Sequence, residues 1–354
     1  MLHNEKEKFM IREGLCYDDV MLVPQYSEIE SRSNIDTSVI LPKINVKLNH
    51  PIVPANMKTI VGLDMARAAL RSKGLTLIHR FMSIEEQLNI PITLSNEQEF
   101  KDVDVWNYIG FSIGVKPEDY KNVDHLVNQG MKIVCVDVAH ANSKLCLNMC
   151  NYISNKYPYL LLIAGNVATG NGASNLWKSG VDIVRVGIGN GSICTTRIQT
   201  GNGVPQLTAL MDVFQCKENL ELKLQKPLGI MADGGAKEPG DLVKGLCFSD
   251  LVMVGNMFAG TNETPGESFL RNGSLHKKYA GSSTYNSSHV EGVEATVFCK
   301  GKFADVLNII LDGITSGLSY QGVNNLIDLK KEPEFIRITP AGLRESHHHD
   351  VFVV

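Results

Sequence analysis

The chain has 354 residues, 44% of them hydrophobic and 20% charged, ordinary figures for a globular protein with a sizeable core. A formal charge of −4 provides no basic field for a nucleic acid polymer, although local groups can still hold a nucleotide monomer. No apolar run reaches the ~18 residues of a membrane span, and the charged start MLHNEKEKF lacks the apolar centre of a signal peptide, so a cytoplasmic protein without membrane attachment is expected.

Residues 1–50 read as an N-terminal arm. Eight short apolar runs then follow, at 51–57, 76–80, 108–114, 132–139, 160–167, 182–188, 227–234 and 251–256. Such runs are the pattern of strands buried on both faces. Segments with helical spacing lie between most of them, at 63–73, 119–128, 143–156, 172–179, 206–219 and 239–248. Alternating strands and helices require a parallel sheet with right-handed crossovers, and eight such units close a barrel. The expected fold is therefore α/β, a (β/α)8 barrel in one domain spanning 1–354. An open doubly wound sheet would place its glycine-rich loop after the first strand. Here the glycine-rich loops follow the sixth, seventh and eighth. Residues 259–300, rich in Gly, Ser, Asn and Thr, read as a long mobile loop that would act as a lid. Residues 303–318 return to helix, and 335–354 read as an extended tail.

Six strand ends carry small or polar residues: Asn56, Asp137, Asn166, Gly187, Asp233 and Asn256. In a closed barrel these ends meet on one face, where active sites are built. The strongest local pattern is GIGNGSICTTR at 187–197. Gly187, Gly189 and Gly191 leave amides free to surround an anion, and Ser192 adds a hydroxyl. Cys194 follows, flanked by Thr195, Thr196 and Arg197. Aimed amides and a nearby cation raise a thiol's thiolate fraction, which makes Cys194 the candidate nucleophile. The chain has no CxxC pair, and Cys135, Cys146, Cys150, Cys216 and Cys247 lie in apolar segments and read as buried thiols.

In ADGG, 232–235, Asp233 can accept both hydroxyls of a ribose, while Gly234 and Gly235 let sugar and phosphate approach the main chain. Asp-Gly also marks ordinary turns, so this motif is informative only in company. Gly255 and Asn256 of VGN would complete a phosphate cradle with their amides. In DVAHANS, 137–143, Asp137 and Asn142 are placed to hold a second ligand beside the first. His140 has no orienting carboxylate beyond Asp137 and reads as structural. The run His347 to His349 has no spaced partner and is a weak zinc pattern.

These residues resemble the IMP dehydrogenase and GMP reductase family along nearly the whole chain. The matching pieces are YDDVMLVP (17–24), SRS (31–33), PANM (54–57), LIHRFMSIEEQ (77–87), DVAHANS, AGNVATG (164–170), VGIGNGSICTTR (186–197), MADGG (231–235), VEG (290–292) and FIRITPAGLRESHHHDV (335–351). The resemblance implies a homotetrameric barrel with a mobile flap. It implies a purine nucleotide, GMP or IMP, attached through C2 to Cys194, and hydride moving between C2 and a nicotinamide. On this basis Cys194, Thr196 and Glu291 are the catalytic candidates. Ser192, Asp233, Gly234, Gly235, Gly255, Asn256, Gly281, Ser282, Ser283 and Gly292 are candidates for the nucleotide. Ser31, Arg32, Arg80, Asp137, Val138, Ala139, Ile188, Gly189, Ser316, Ser319 and Tyr320 are candidates for the dinucleotide. A potassium ion would lie near Gly189, Gly191, Cys194 and Arg197, completed by Glu345, Ser346 and His347 of an adjacent subunit.

Three features side with the reductase branch, which turns GMP and NADPH into IMP and ammonia. Only about thirty residues separate His79 from the third strand, leaving no room for the regulatory modules of over a hundred residues that dehydrogenases usually carry there. The flap YAGSSTYNSSHVE, 279–291, has no arginine to pair with a tyrosine and activate water. PANM followed by TIVG, and NGSLHKKYAGSS, also look reductase-like. The tail AGLRESHHHDV points to the alternative, an IMP dehydrogenase using NAD. Lys58, Arg80, Asn190 and Asn256 depart from the usual residues, and the methionine usual near Gly281 is missing. A non-catalytic purine nucleotide binder is the rival of another class, and it would not need Cys194, Thr196 and Glu291 together.

Overall fold

The computed structural model describes residues 11–281 and 292–348. The chain enters through β1 (Val20–Leu22) and a hairpin of β2 (Val39–Leu41) and β3 (Val46–Leu48). Eight strands follow: β4 (Ile52–Pro54), β5 (Thr76–Ile78), β6 (Ile109–Ile113), β7 (Ile133–Asp137), β8 (Leu161–Val167), β9 (Ile183–Val186), β10 (Gly229–Asp233) and β11 (Leu251–Val254). Each lies inside one of the eight apolar runs. They form one sheet in the order β4-β11-β10-β9-β8-β7-β6-β5, and every bonded pair is parallel. β4 and β5, the two ends of that order, come into contact and bring the sheet round into a nearly closed (β/α)8 barrel.

The alternation along each strand divides the core in two. Ile133 and Cys135 of β7 join Leu77, Leu161, Ile163 and Met231 in a cluster inside the barrel, while Val134 and Val136 face the helices. The β2–β3 hairpin adds Leu41, Val46 and Leu48 to the inner cluster and so plugs the N-terminal end. Both faces of each strand are buried, which is why the runs are apolar without a polar alternate.

The helices between strands are α1 (Leu63–Arg71), α2 (Ile84–Asn96), α3 (Pro117–Asn128), α4 (Lys144–Lys156), α5 (Gly170–Lys178), the short α6 (Thr196–Thr200), α7 (Gln206–Leu224) and α8 (Pro239–Leu246). Of these, α2 is not among the segments with helical spacing in the sequence. Pro91 lies within it and removes one main-chain hydrogen bond, which broke the helical pattern. A reciprocal cap starts the helix: Ser83 Oγ accepts the Glu86 amide at 3.2 Å and Glu86 accepts the Ser83 amide at 2.7 Å.

Residues 259–300 are not structureless. They hold β12 (Phe269–Arg271), β13 (Ser274–Ala280) and β14 (Glu294–Phe298) in an antiparallel sheet. Asn272 and Gly273, at φ 51° and 80°, make the two-residue turn between β12 and β13, the geometry that an Asn-Gly pair favours. Lys277 fastens this sheet to the barrel by donating to the carbonyls of Thr261, Asn262 and Thr264 at 3.1, 3.0 and 2.7 Å. The centre of the expected lid, 282–291, lies outside the described residues.

After α9 (Phe303–Tyr320) and α10 (Leu326–Leu329), the tail is mixed rather than extended: β15 (Phe335–Arg337) pairs antiparallel with β1, and α11 (Pro340–Glu345) follows. Among the described residues no helix is long and apolar enough to cross a membrane.

Candidate active site

All six polar strand ends line two adjoining cavities at the C-terminal end of the barrel, of about 230 and 250 Å³. Cys194 borders both, as do Asp233 and the apolar side chains of Ala55, Met57 and Met253. The thiol therefore stands where two ligands can meet. It is half-buried, and its sulfur lies 3.2 Å from Thr196 Oγ1. The Cys194 amide bonds back to the Gly191 carbonyl at 3.1 Å, which folds the loop tightly under the sulfur. By contrast, burial pushes the Cys135 and Cys247 thiols up to about 12, so both stay protonated at neutral pH. Cys146 and Cys150 are also buried, but Cys216, expected in the core, is only half-buried.

The second cavity has the character of a phosphate site. Ser192, Gly234, Gly235, Gly255 and Asn256 line it, as expected. Gly234 and Gly235 sit at φ 79° and 86°, a left-handed conformation that side-chain-bearing residues rarely adopt. The resulting turn brings the main chain itself to the cavity wall after β10. Tyr279 was not foreseen. It is 4% exposed, its hydroxyl is 3.5 Å from Ser192 Oγ, and burial raises its pKa, so it enters the cavity as a neutral donor. The signal available was a tyrosine closing an alternating strand directly before Ala280 and Gly281.

Gly281 lines this cavity and Gly292 is buried beside the break in the described chain. Both flanks of that break are tied down. Thr59 Oγ1 donates to the Ala280 carbonyl at 3.2 Å and accepts its amide at 3.3 Å, while the Val293 amide donates to the Ile193 carbonyl at 3.1 Å. The Cys194 loop thus shares a hydrogen bond with the segment expected to form the flap. Ser282, Ser283 and Glu291 lie outside the described residues.

Arg80, Asp137, Val138, Ala139, Ile188 and Gly189 line the first cavity. Beneath them lies a charged residue that no sequence motif marks. Arg185, in the middle of β9, has a side chain 5% exposed; Nη1 donates to Asp137 and Nη2 to Asp233, each at 2.7 Å. One guanidinium therefore fixes the carboxylate of each cavity. Asn166 adds a bond to Asp233 at 2.7 Å and one to the Gly187 carbonyl at 2.8 Å. Gly165 permits this layer, since a Cβ there would collide with the side chain of Arg185. Arg80 stacks over Phe81 at 4.6 Å and lies 3.8 Å from Asp137. Its neighbour His79 is buried, and that burial, reinforced by Lys58, pushes its pKa down to about 4. It is therefore neutral at physiological pH. His140 is exposed and lines neither cavity.

The remaining candidates stand elsewhere. Arg32 lies in the 3-10 turn against which α9 packs, with Ser31 capping that turn; Ser316, Ser319 and Tyr320 are on α9 itself. Glu345, Ser346 and His347 are exposed at the end of α11. None of these eight residues lines the two cavities. Arg197 turns its guanidinium away to the Val204 carbonyl, at 2.7 Å. Asp233→Ala should weaken binding of a ribonucleotide by about 2 kcal/mol, the scale of a lost charge-assisted hydrogen bond. Calorimetry with ribo- and 2′-deoxy-GMP checks this, and equal affinity for the two on the unmutated protein would refute the ribose role.

A family model for the IMP dehydrogenase / GMP reductase domain matches residues 14–349. The chain belongs to the IMP dehydrogenase / GMP reductase family. It is 37% identical to the GMP reductase of Acidovorax sp. strain JS42, across 89% of this chain and 93% of that protein. It is 33% identical to the IMP dehydrogenase of Borreliella burgdorferi, across 97% and 98%. A cysteine variant of the GMP reductase of Trypanosoma brucei, solved in complex with guanosine 5′-monophosphate, superposes with a TM-score of 0.86 at 27% identity, covering 97% of this chain and 99% of that one. The family is one of nicotinamide-dependent oxidoreductases. Both activities thus occur among relatives of similar likeness. The Borreliella dehydrogenase aligns over 405 residues, too few to hold a module of over a hundred residues beside the 354 of this chain. The missing modules therefore do not separate the two branches.

Proposed function

We propose that this protein is a GMP reductase, converting GMP and NADPH to IMP, ammonia and NADP. The observation that carries the reading is the Cys194–Thr196 contact of 3.2 Å at the seam of the two cavities. The second cavity suits the nucleotide, with Asp233 at the ribose and Ser192, Gly235, Gly255 and Tyr279 at the phosphate. The first suits a nicotinamide, because it opens beside the thiol and the buried Nε of Arg185 on its wall has no acceptor.

Cys194 thiolate adds to C2 of the purine. Thr196, relayed by Glu291, protonates the C2 nitrogen, so that ammonia departs rather than amide ion. The sulfur then holds C2 as a thioimidate. NADPH, when bound, supplies hydride to that carbon. Cleavage of the C2–S bond returns the electron pair to Cys194. Residues 259–300 serve as the lid of a single catalytic unit. The direction follows from 279–291, which contains no arginine. Without a base whose pKa an arginine lowers, water attack on the thioimidate is slow. GMP with NADPH should consume the nicotinamide absorbance orders of magnitude faster than IMP with NAD produces it. Glu291→Gln should slow reduction by about 100-fold or more, the usual worth of a positioned proton donor, with GMP affinity retained. Robust XMP formation from IMP and NAD would favour the second reading, an IMP dehydrogenase, which the tail AGLRESHHHDV and the Borreliella relative support.

The working protein is proposed to be a cytoplasmic homotetramer, with Ser31, Arg32, Ser316, Ser319 and Tyr320 serving the far end of the dinucleotide. The described residues hold no group of three or more His, Cys, Asp or Glu fit for a metal. A potassium site would therefore rest mainly on the main-chain oxygens of Gly189, Gly191, Cys194 and Arg197, with Glu345, Ser346 and His347 of an adjacent copy. Deleting residues 344–354 should reduce assembly, or remove a dependence of turnover on potassium. Light scattering and a potassium titration check this. A truncated enzyme that is fully tetrameric, with its response to potassium unchanged, would exclude the role.

A further inference from the structure

A third cavity, of about 430 Å³, lies at the opposite end of the barrel, where Ile183 of β9, Gly229 of β10 and Leu251 of β11 begin. Its volume falls in the range of small-molecule sites, roughly 300–1,000 Å³. The β2–β3 hairpin forms one wall, and α7 and α10 contribute to the rest. Apolar surface predominates, and Ile40 and Ile327, at 61% and 73% exposed, leave more of it to solvent than a core or a lone surface residue explains.

The charged groups of this cavity are unequally satisfied. Asp250 accepts the Ile230 amide at 2.8 Å and is bonded to Lys330. Glu221 accepts the Leu228 amide at 2.7 Å, and Asp36 accepts the Ser38 amide at 2.8 Å. Every carboxylate thus has a main-chain donor. Two ammonium groups do not fare as well. Lys217, with a side chain only 14% exposed, reaches Glu221 and Asp250 at 3.8 and 3.6 Å, beyond hydrogen-bond distance. Lys47, at 63%, reaches Asp36 at 3.8 Å. Lys217 and Lys47 thus each present an ammonium with no acceptor within hydrogen-bond distance among the described residues, at the edge of an apolar chamber. Its complement is an acceptor-only acidic group on an apolar body.

We propose that this cavity is a second binding site, for a small organic acid whose acidic group meets Lys217 and Lys47 and whose apolar body rests on Ile40, Leu326 and Ile327. The site is separate from the nucleotide cavities and does not depend on which reaction the protein performs.

The test uses 8-anilinonaphthalene-1-sulfonate as the probe, followed by fluorescence, with N-phenyl-1-naphthylamine as the same rings without the acid. The whole protein and its Cys194→Ala variant should both bind the sulfonate saturably, and saturating GMP should not displace it. Lys217→Gln should raise its dissociation constant about tenfold, the scale of one charge-assisted bond, while the neutral analogue binds both proteins alike. Lys47→Gln, on an exposed side chain that the fold does not need, should weaken the sulfonate severalfold and keeps the test open if Lys217→Gln unfolds. Neither variant should alter basal turnover. Displacement by GMP, or unchanged sulfonate affinity in both lysine variants, would overturn the proposal.

Discussion

Cys194→Ala should eliminate turnover, by at least about 10⁴-fold, because a covalent route without its nucleophile leaves only positioning to act. Binding should survive. The substituted sulfur belongs to a half-buried side chain whose loop is held by main-chain bonds, such as Cys194 to Gly191, that alanine retains. The proposed phosphate contacts come from other residues, so GMP affinity should stay within about 1 kcal/mol, the spread of modest side-chain truncations. A single-turnover experiment adds a sharper readout: the unmutated protein should form a purine adduct that survives denaturation, and the variant none. Cys247→Ala serves as control, since burial holds that thiol protonated and it lies away from both cavities. Residual activity above a trace in Cys194→Ala would remove the covalent mechanism whichever branch of the family the protein belongs to.

Much of this site could be read from sequence because barrel topology carries strand ends to one face. Asn56, Asp137, Asn166, Gly187, Asp233 and Asn256 are up to two hundred positions apart, yet a simple count of apolar runs places them together. What escaped was of two kinds. Local composition misled at 259–300, where abundant Gly, Ser and Asn suggested a loop although Asn272–Gly273 between alternating residues is a strong hairpin signal. Pro91 likewise hid α2. The second kind is pairing across the barrel. Arg185 was visible as a charge inside an apolar strand, but its partners, Asp137 and Asp233, sit 48 positions away on either side. No local pattern states that one guanidinium joins them. The branch of the family is harder still, since it turns on a few flap residues, and relatives of both names align along nearly the whole chain.

Arg185 carries the other large expectation. Its fork spans two carboxylates, each of which lines a ligand cavity, and its side chain is almost wholly buried. Arg185→Leu would leave Asp137 and Asp233 facing one another without the cation between them. Removing one member of a buried ion network usually costs about 3–5 kcal/mol, because the remaining charges keep their desolvation penalty and lose their compensation. Urea denaturation should therefore show a loss of at least about 3 kcal/mol. Both proposed ligands should suffer together, since Asp233 lines both cavities and Asp137 the first. Arg185→Lys separates charge from geometry. A single ammonium preserves the sign but not the planar fork that donates to both sides at 2.7 Å. It should recover part of the stability while the two binding affinities remain uncoupled from it, with one carboxylate held and the other released. If Arg185→Leu instead melts within about 1 kcal/mol of the unmutated protein and binds GMP normally, the guanidinium is a passive filler of the barrel. The alignment of the two cavities on Cys194 must then come from the main chain of the glycine loops alone.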